Sequence, residues 1–297
     1  YINHNYIIFL MIIWLASYPK SGNTWVRSFL VSLLFNKNNE ANLSGLYNIP
    51  QYPLRSHFNN LVNDIDNLQE ISSNWIKSQR IINSDNKIKF FKTHHALCKI
   101  NNSLFTNHEN SLGVIHIVRD PRNVVSSILH HYSKENYLEA KRFLFSENKV
   151  LHKEFDKNDI NKNKDMLTLI SSWKNNYNSW KQFKKNYLLI KYEKLISEPE
   201  IEFRKICTYL SELMQKKFEE EKIDFAIKSN SFENLKEIEG NYGFKEAVKD
   251  KKTGQIKRFF NLGPANKWEK LLDSKTKEDI EKEFREEMME LGYLFKN

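Results

Sequence analysis

Short apolar runs punctuate the chain, and most are followed by a polar turn and then by apolar residues spaced three and four apart. The runs read as strands at Ile12 to Ser17, Lys89 to Thr93, Val114 to Arg119 and Leu188 to Tyr192. Their near-continuous apolar character suits strands covered on both faces of a sheet. Helical spacing follows at Thr24 to Phe35, from Pro121 through His131, around Met166 to Lys185, from Glu198 to Leu210 and at Ser274 to Leu291. Pro121 directly after Asp120 fits a helix start, where a missing amide is harmless. Strands alternating with helices predict an α/β chain whose central, mostly parallel sheet is flanked by helices.

Two stretches break this rhythm. The Asn-rich region Asn36 to Asn86 reads as a helix plus loops, and Glu233 to Lys257, with Gly240, Gly243, Gly254 and many lysines, reads as a mobile loop. No internal repeat and no dividing linker is present, so residues 1–297 are expected to form a single domain. The apolar stretch Tyr6 to Ala16 falls short of the roughly 20 residues a membrane-spanning helix needs. Its second half is the first strand, which leaves residues 1–10 as an N-terminal extension. The chain opens on Tyr1, so its true start is expected at Met11 or upstream of Tyr1.

Composition narrows the class without fixing a function. With 40% apolar and 28% charged residues over 297 positions, the chain is globular. A net charge of +9 points to an anionic partner, whether nucleotide, nucleic acid, sulfated polymer or membrane surface, or else to solvated lysines from a Lys/Asn/Ile bias. Cys98 and Cys207 are far apart and match no disulfide framework or zinc spacing, which favours a reducing, cytoplasmic setting.

The chemistry concentrates in turns that follow strands. After the first strand comes Tyr18-Pro19-Lys20-Ser21-Gly22-Asn23-Thr24-Trp25, then a helix. Such a turn offers free backbone amides and a positive helix end to an anion, with Lys20 as a mobile cation and Gly22 allowing close approach. Lys20 precedes the glycine, so the Gly-x-x-x-x-Gly-Lys-Ser/Thr order of P-loop triphosphatases is absent. From the residues alone, two readings stand: a phosphate cradle, or a plain turn with a solvated lysine.

This segment resembles the 5'-phosphosulfate loop of sulfotransferases that use 3'-phosphoadenosine 5'-phosphosulfate (PAPS), whose usual form is Tyr-Pro-Lys-Ser-Gly-Thr-Thr-Trp. Only Asn23 departs from it, and Asn can still donate to a phosphate oxygen. The resemblance implies a P-loop-like three-layer fold. It also implies donor binding by Lys20, Ser21, Gly22, Asn23 and Thr24, with Trp25 against the adenine or, alternatively, in the core.

Further blocks follow in order. Val118-Arg119-Asp120-Pro121 through Ser127 resembles the 3'-phosphate motif, implying that Arg119 and Ser127 bind that phosphate; an ion pair of Arg119 with Asp120 or another acid at a helix start is the alternative for the arginine. Lys92-Thr93-His94-His95 resembles the family's Lys-Thr-His segment, which implies His94 as general base with Lys92 and Thr93 beside the sulfuryl group. An imidazole with an ordinary pKa of about 6.5 suits that role. Tyr192, Ser231 and Phe232 correspond to adenine contacts, Asn230 standing where the family has Thr. The block Phe259 to Trp268 keeps Gly263 and Trp268 but has Asn261 and Leu262 where the family carries Arg and Lys. Lys257 or Arg258 is the candidate replacement.

Together these imply a PAPS-dependent sulfotransferase acting on a hydroxyl or amine, with Lys20 at the departing oxygen and no metal. No nucleic-acid partner and no membrane span are expected, and oligomeric state stays open. Two other classes compete on the residues alone: an ATP-dependent kinase or nucleotide hydrolase, and a non-enzymatic polyanion-binding module.

Overall fold

The computed structural model describes residues 11–151, 166–250 and 253–295. The expected extension, residues 1–10, lies outside them. Four strands, β1 (Ile12–Ser17), β2 (Lys89–Thr93), β3 (Ser111–Val118) and β4 (Tyr187–Lys191), form a sheet in the order β2-β1-β3-β4 with every pairing parallel. Helices flank it, so the three-layer α/β expectation is met. The principal helices are α1 (Asn23–Leu34), α2 (Pro121–His131), α3 (Pro199–Met214) and α4 (Phe232–Tyr242).

β1 shows why the strands are apolar on both sides. Ile13 and Leu15 join a cluster with Val26, Phe29 and Leu30 of α1 and Phe203 and Ile206 of α3. Ile12, Trp14 and Ala16 face the other way, among Tyr52, Trp75, Phe91, Phe105 and Trp180. Alternate residues thus feed two cores, each fully buried apolar side chain contributing about 1.5–3 kcal/mol. A third cluster, with Val118, Val124, Trp173, Phe284 and Met288, lies against α2.

Several boundaries differ from expectation. The strand read as 114–119 runs Ser111–Val118, because Ser111 is buried by accepting a hydrogen bond from the Trp14 indole at 2.7 Å. The strand read as 188–192 ends at Lys191, and Tyr192 opens the short helix Tyr192–Ser197. Within 166–185 the helix is only Trp173–Lys181; Ser172 caps it, and Thr168–Leu169 pairs with Val150–Leu151 instead. The C-terminal stripe Ile280, Phe284, Met288 and Leu291 is buried throughout, yet the backbone divides at Phe284 into Ser274–Glu283 and Arg285–Glu290. Between residues 36 and 86 two short helices, Leu68–Ser73 and Trp75–Asn83, accompany two 3-10 turns.

The larger correction concerns residues 233–257. Most of their first half is α4, capped by Ser231 and anchored by buried Leu235 and Glu239. The Glu239 carboxylate accepts the backbone amides of Phe259 and Phe260 at 2.6 and 2.8 Å. A contact twenty residues away therefore holds a helix that Gly240 and the lysine-rich stretch after it disguise. Val248–Lys249 then pairs with Ile256–Lys257.

The chain passes from β1 to β2 on one side and then to β3 on the other. That reversal beside β1 is the switch point where open parallel sheets bind ligands, at the carboxyl ends of the strands.

Candidate active site

At those strand ends lies a cavity of about 1040 Å³. Lys20, Gly22, Asn23, Thr24, Trp25, Lys92, His94, Arg119, Ser127, Tyr192, Phe232 and Gly263 all line it.

The turn after β1 places its donors by backbone strain that glycine relieves. Lys20 and Gly22 both have positive φ, 66° and 103°. A Cβ on Gly22 would sit 2.5 Å from the Tyr192 ring, so no larger residue fits. Helix α1 starts with no side-chain cap, whereas Asp120 caps α2 through the Arg122 amide at 2.9 Å. The Trp25 and Val26 amides turn back to the Gly22 carbonyl at 3.0 and 3.3 Å, so among the described residues it is the Asn23 and Thr24 amides that are left for an anion. Burial pushes the Lys20 ammonium down to about 7, with Arg119 and Lys92 adding to the fall and Glu246 opposing it. Its Nζ lies 3.8 Å from the centre of the Phe259 ring.

Asn23 lines the cavity, but its side chain turns away from it. Its side-chain amide donates inward, to the Leu15 carbonyl at 2.9 Å and the Ser17 hydroxyl at 3.2 Å. Ser21 is buried, its hydroxyl has no partner among the described residues, and it does not line the cavity. Trp25 serves the core more than the cavity: its indole donates to the Asn230 carbonyl at 2.6 Å, and its ring is edge-on to Tyr192, Phe203 and Phe232.

His94 follows β2. Its Nδ1 lies 2.9 Å from the Ser17 carbonyl and 3.2 Å from the Ser17 hydroxyl. A carbonyl only accepts, so Nδ1 carries the proton and Nε2 keeps its lone pair. Burial, then Lys92, pushes the imidazole down to about 4, leaving it neutral at pH 7. His95 is fully buried, its ring stacked on Phe105 at 4.2 Å, and it does not line the cavity. Thr93 is buried as well and accepts the His95 amide at 3.1 Å.

Arg119 and Ser127 come together as expected. One guanidinium nitrogen donates to the Ser127 hydroxyl at 3.2 Å and to the Lys20 carbonyl at 3.0 Å, tying the second anion site to the first. The guanidinium also lies 4.1 Å from the centre of the Tyr192 ring. Asp120 pairs with Arg122 at 2.7 Å, so the alternative ion pair of Arg119 with Asp120 does not form. Asn266, which the sequence reading passed over, donates to Ser127 at 3.0 Å and lines the same wall.

The remaining candidates divide. Gly263 is required beneath Phe232, whose ring would lie 2.2 Å from a Cβ there. Ser231 is spent capping α4 and does not line the cavity. Neither replacement for the missing Arg reaches it. Lys257 is held by Asp250 at 2.8 Å and by Ser133, and Arg258 is exposed.

The structure adds residues that carry no sequence signal. Glu246 reaches back into the cavity and accepts hydrogen bonds from Arg27 at 2.6 Å, Lys92 at 3.1 Å and Thr24 at 3.2 Å. Arg27 lines the wall from α1, one helical turn past Asn23. His131 lines it too, pushed down to about 3 by burial and then by Lys20. Among the described residues no group of three or more His, Cys, Asp or Glu is placed to hold a metal ion.

Comparison with known proteins places this geometry. The family model described as the sulfotransferase domain matches residues 12–292. A 3-beta-hydroxysteroid sulfotransferase of Cavia porcellus is 24% identical over 92% of this chain and 82% of its own. Sulfotransferase 2A1 of Homo sapiens is 22% identical over 93% and 84%. In fold, a mouse sulfotransferase solved with PAP superposes with a TM-score of 0.55 at 19% identity, covering 94% of this chain and 84% of that one. A retinol dehydratase solved with androsterone and PAP gives 0.55 at 16% identity, covering 95% and 83%. With a matching sequence pattern over nearly its whole length and the parallel sheet of those structures, this chain belongs to the sulfotransferase domain family.

Proposed function

We propose that the protein transfers a sulfuryl group from PAPS to an acceptor hydroxyl or amine by in-line displacement, with residues 12–292 acting as one domain. The observation that carries this reading is convergence. The open end of α1 with Lys20, the Arg119–Ser127 pair, and His94 with Lys92 line one cavity at the ends of three adjacent strands. Two structural neighbours were solved with PAP, the desulfated product.

The roles follow from the geometry. The acceptor oxygen forms the new bond to sulfur as its proton passes to Nε2 of His94. The bond from sulfur to the bridging oxygen breaks, and its electron pair stays on the 5'-phosphate, where Lys20 meets the developing charge. Lys92 faces the other sulfuryl oxygens, and Arg119 with Ser127 receives the 3'-phosphate. Leu46, Ile49, Leu54, Phe143, Leu151 and Met166 line the same cavity, which suits an acceptor that presents its nucleophile on an apolar body.

A cytoplasmic setting fits. Cys98 and Cys207 are free thiols, and two Arabidopsis thaliana relatives are named cytosolic sulfotransferases. No helix among the described residues is long and apolar enough to cross a membrane.

In a thermal-shift experiment PAP raises the unfolding midpoint while ATP with magnesium does not, and PAPS then supports turnover with members of a panel of apolar alcohols, phenols and amines. Stabilisation by ATP-magnesium alone would assign a kinase or hydrolase. Salt-sensitive binding of polyanions without a response to PAP would assign a binding module.

Lys20 supplies a second test. An arriving anion favours the charged ammonium and raises its pKa from about 7. Binding at pH 8 is therefore coupled to proton uptake by this ammonium, which already carries its proton at pH 6. Calorimetry in buffers of different ionisation enthalpy reads this as uptake at pH 8 that Lys20→Met abolishes; unchanged uptake at pH 8 in that variant would refute it.

A further inference from the structure

Glu246 sits between α4 and the strand Val248–Lys249, outside every motif the sequence displays. Its two carboxylate oxygens are fully engaged. Oε1 accepts from Arg27 at 2.6 Å and Lys92 at 3.1 Å, and Oε2 accepts from the Thr24 hydroxyl at 3.2 Å. These donors come from α1 and from the end of β2, on either side of β1. Burial works against the charge, but Lys92 and Arg27 outweigh it and hold the carboxyl well below the usual range. Glu246 also acts electrostatically on both Lys20 and His94.

An anion held this way makes the contacts a sulfuryl group would make. Two oxygens take one guanidinium, one ammonium and one hydroxyl, beside the proposed base and the proposed leaving-group lysine. Phe244 packs on Phe259 and Phe260 at 5.1 and 6.1 Å and Val248 pairs with Lys257, so the backbone that can swing the carboxylate lies between that ring and that strand.

We propose that Glu246 is a built-in competitor of the donor: its carboxylate fills the sulfuryl subsite while the donor is absent, and donor binding expels it. The inference rests on the donor site proposed above. A carboxylate and a phosphosulfate in one cluster would repel at short range, so the two exclude each other. Apparent donor affinity is then reduced by the fraction of molecules whose carboxylate has already left. In exchange, the carboxylate gives Lys20, Lys92 and Arg27 a shared counter-charge.

Glu246→Gln keeps the shape and removes the charge. PAPS should bind at least about tenfold more tightly to this variant, as expected if a tenth or less of the wild type is open. PAP, which lacks the sulfuryl group, should gain less, while the unfolding midpoint of the ligand-free protein falls. A merely structural carboxylate would lower the midpoint and leave nucleotide affinity unchanged or weaker, and that result overturns the proposal. Should the variant not fold, stopped-flow association of PAPS with the wild type decides: the observed rate levels off with concentration if Glu246 must leave first. A rate that stays linear overturns the idea. A wild type that binds neither nucleotide would instead overturn the donor reading itself.

Discussion

Replacing His94 by alanine is expected to lower kcat by at least about 100-fold, the scale of general-base catalysis, while PAP affinity changes little. The expectation rests on one tautomer. The Ser17 carbonyl, 2.9 Å away, takes the Nδ1 proton, so the free lone pair belongs to Nε2. Burial and Lys92 keep the free protein's imidazole near 4, which would make it a weak base at neutral pH. The donor corrects this, because a negative group beside the ring favours imidazolium and raises its pKa toward the working range. The sign is therefore specific. The acid limb of kcat/KM, which reports the free protein, should fall near pH 4, and the acid limb of kcat should fall at higher pH. Wild-type turnover in His94→Ala, or coincident limbs, would remove His94 from the mechanism.

The second large effect is expected at Arg119. Replacement by methionine should weaken PAP binding by about 10- to 100-fold, the worth of one to two hydrogen bonds to a charged group. The side chain is buried, and its Nε has no partner among the described residues. It reaches Ser127 and the Lys20 carbonyl and is backed by the Tyr192 ring. That environment aims a rigid fork of donors that lysine could not imitate. Structural damage alone would weaken all nucleotides alike. The diagnostic is therefore the ratio of PAP to 5'-AMP affinity by calorimetry, which should collapse toward one in the variant. A preserved ratio would place the 3'-phosphate elsewhere.

Much of the candidate site's local geometry was legible because its parts are local. A strand of six buried residues, a left-handed lysine and glycine, and a proline opening α2 are each written within a few positions. That His94 lines the cavity and His95 does not has a reason the sequence hides: alternation from the end of β2 sends His95 into the aromatic core against Phe105. What stayed hidden depends on partners far along the chain. Ser111 looks like a turn residue until the Trp14 indole, 97 positions away, is seen to pay for its burial. Helix α4 looks like a loop until Glu239 is seen holding two amides of the next segment. Glu246 resembles any solvated carboxylate, since nothing near it in sequence foretells Arg27 and Lys92. The substitution of Asn261 and Leu262 for basic residues was legible. Proximity in sequence put Lys257 and Arg258 forward, but neither lines the cavity: Lys257 is held by Asp250 and Ser133, and Arg258 is exposed.

Asn23 binds the two halves of the chemistry into one piece. Its amide grips Leu15 and Ser17 of β1, and Ser17 in turn grips His94. The turn that would seat the donor and the ring that would receive the acceptor's proton therefore share a single scaffold of hydrogen bonds rooted in the central strand. Neither can drift without carrying the other, so in the proposed reaction the angle between attacking and departing oxygens would be inherited from the backbone and would not have to be found anew in each turnover.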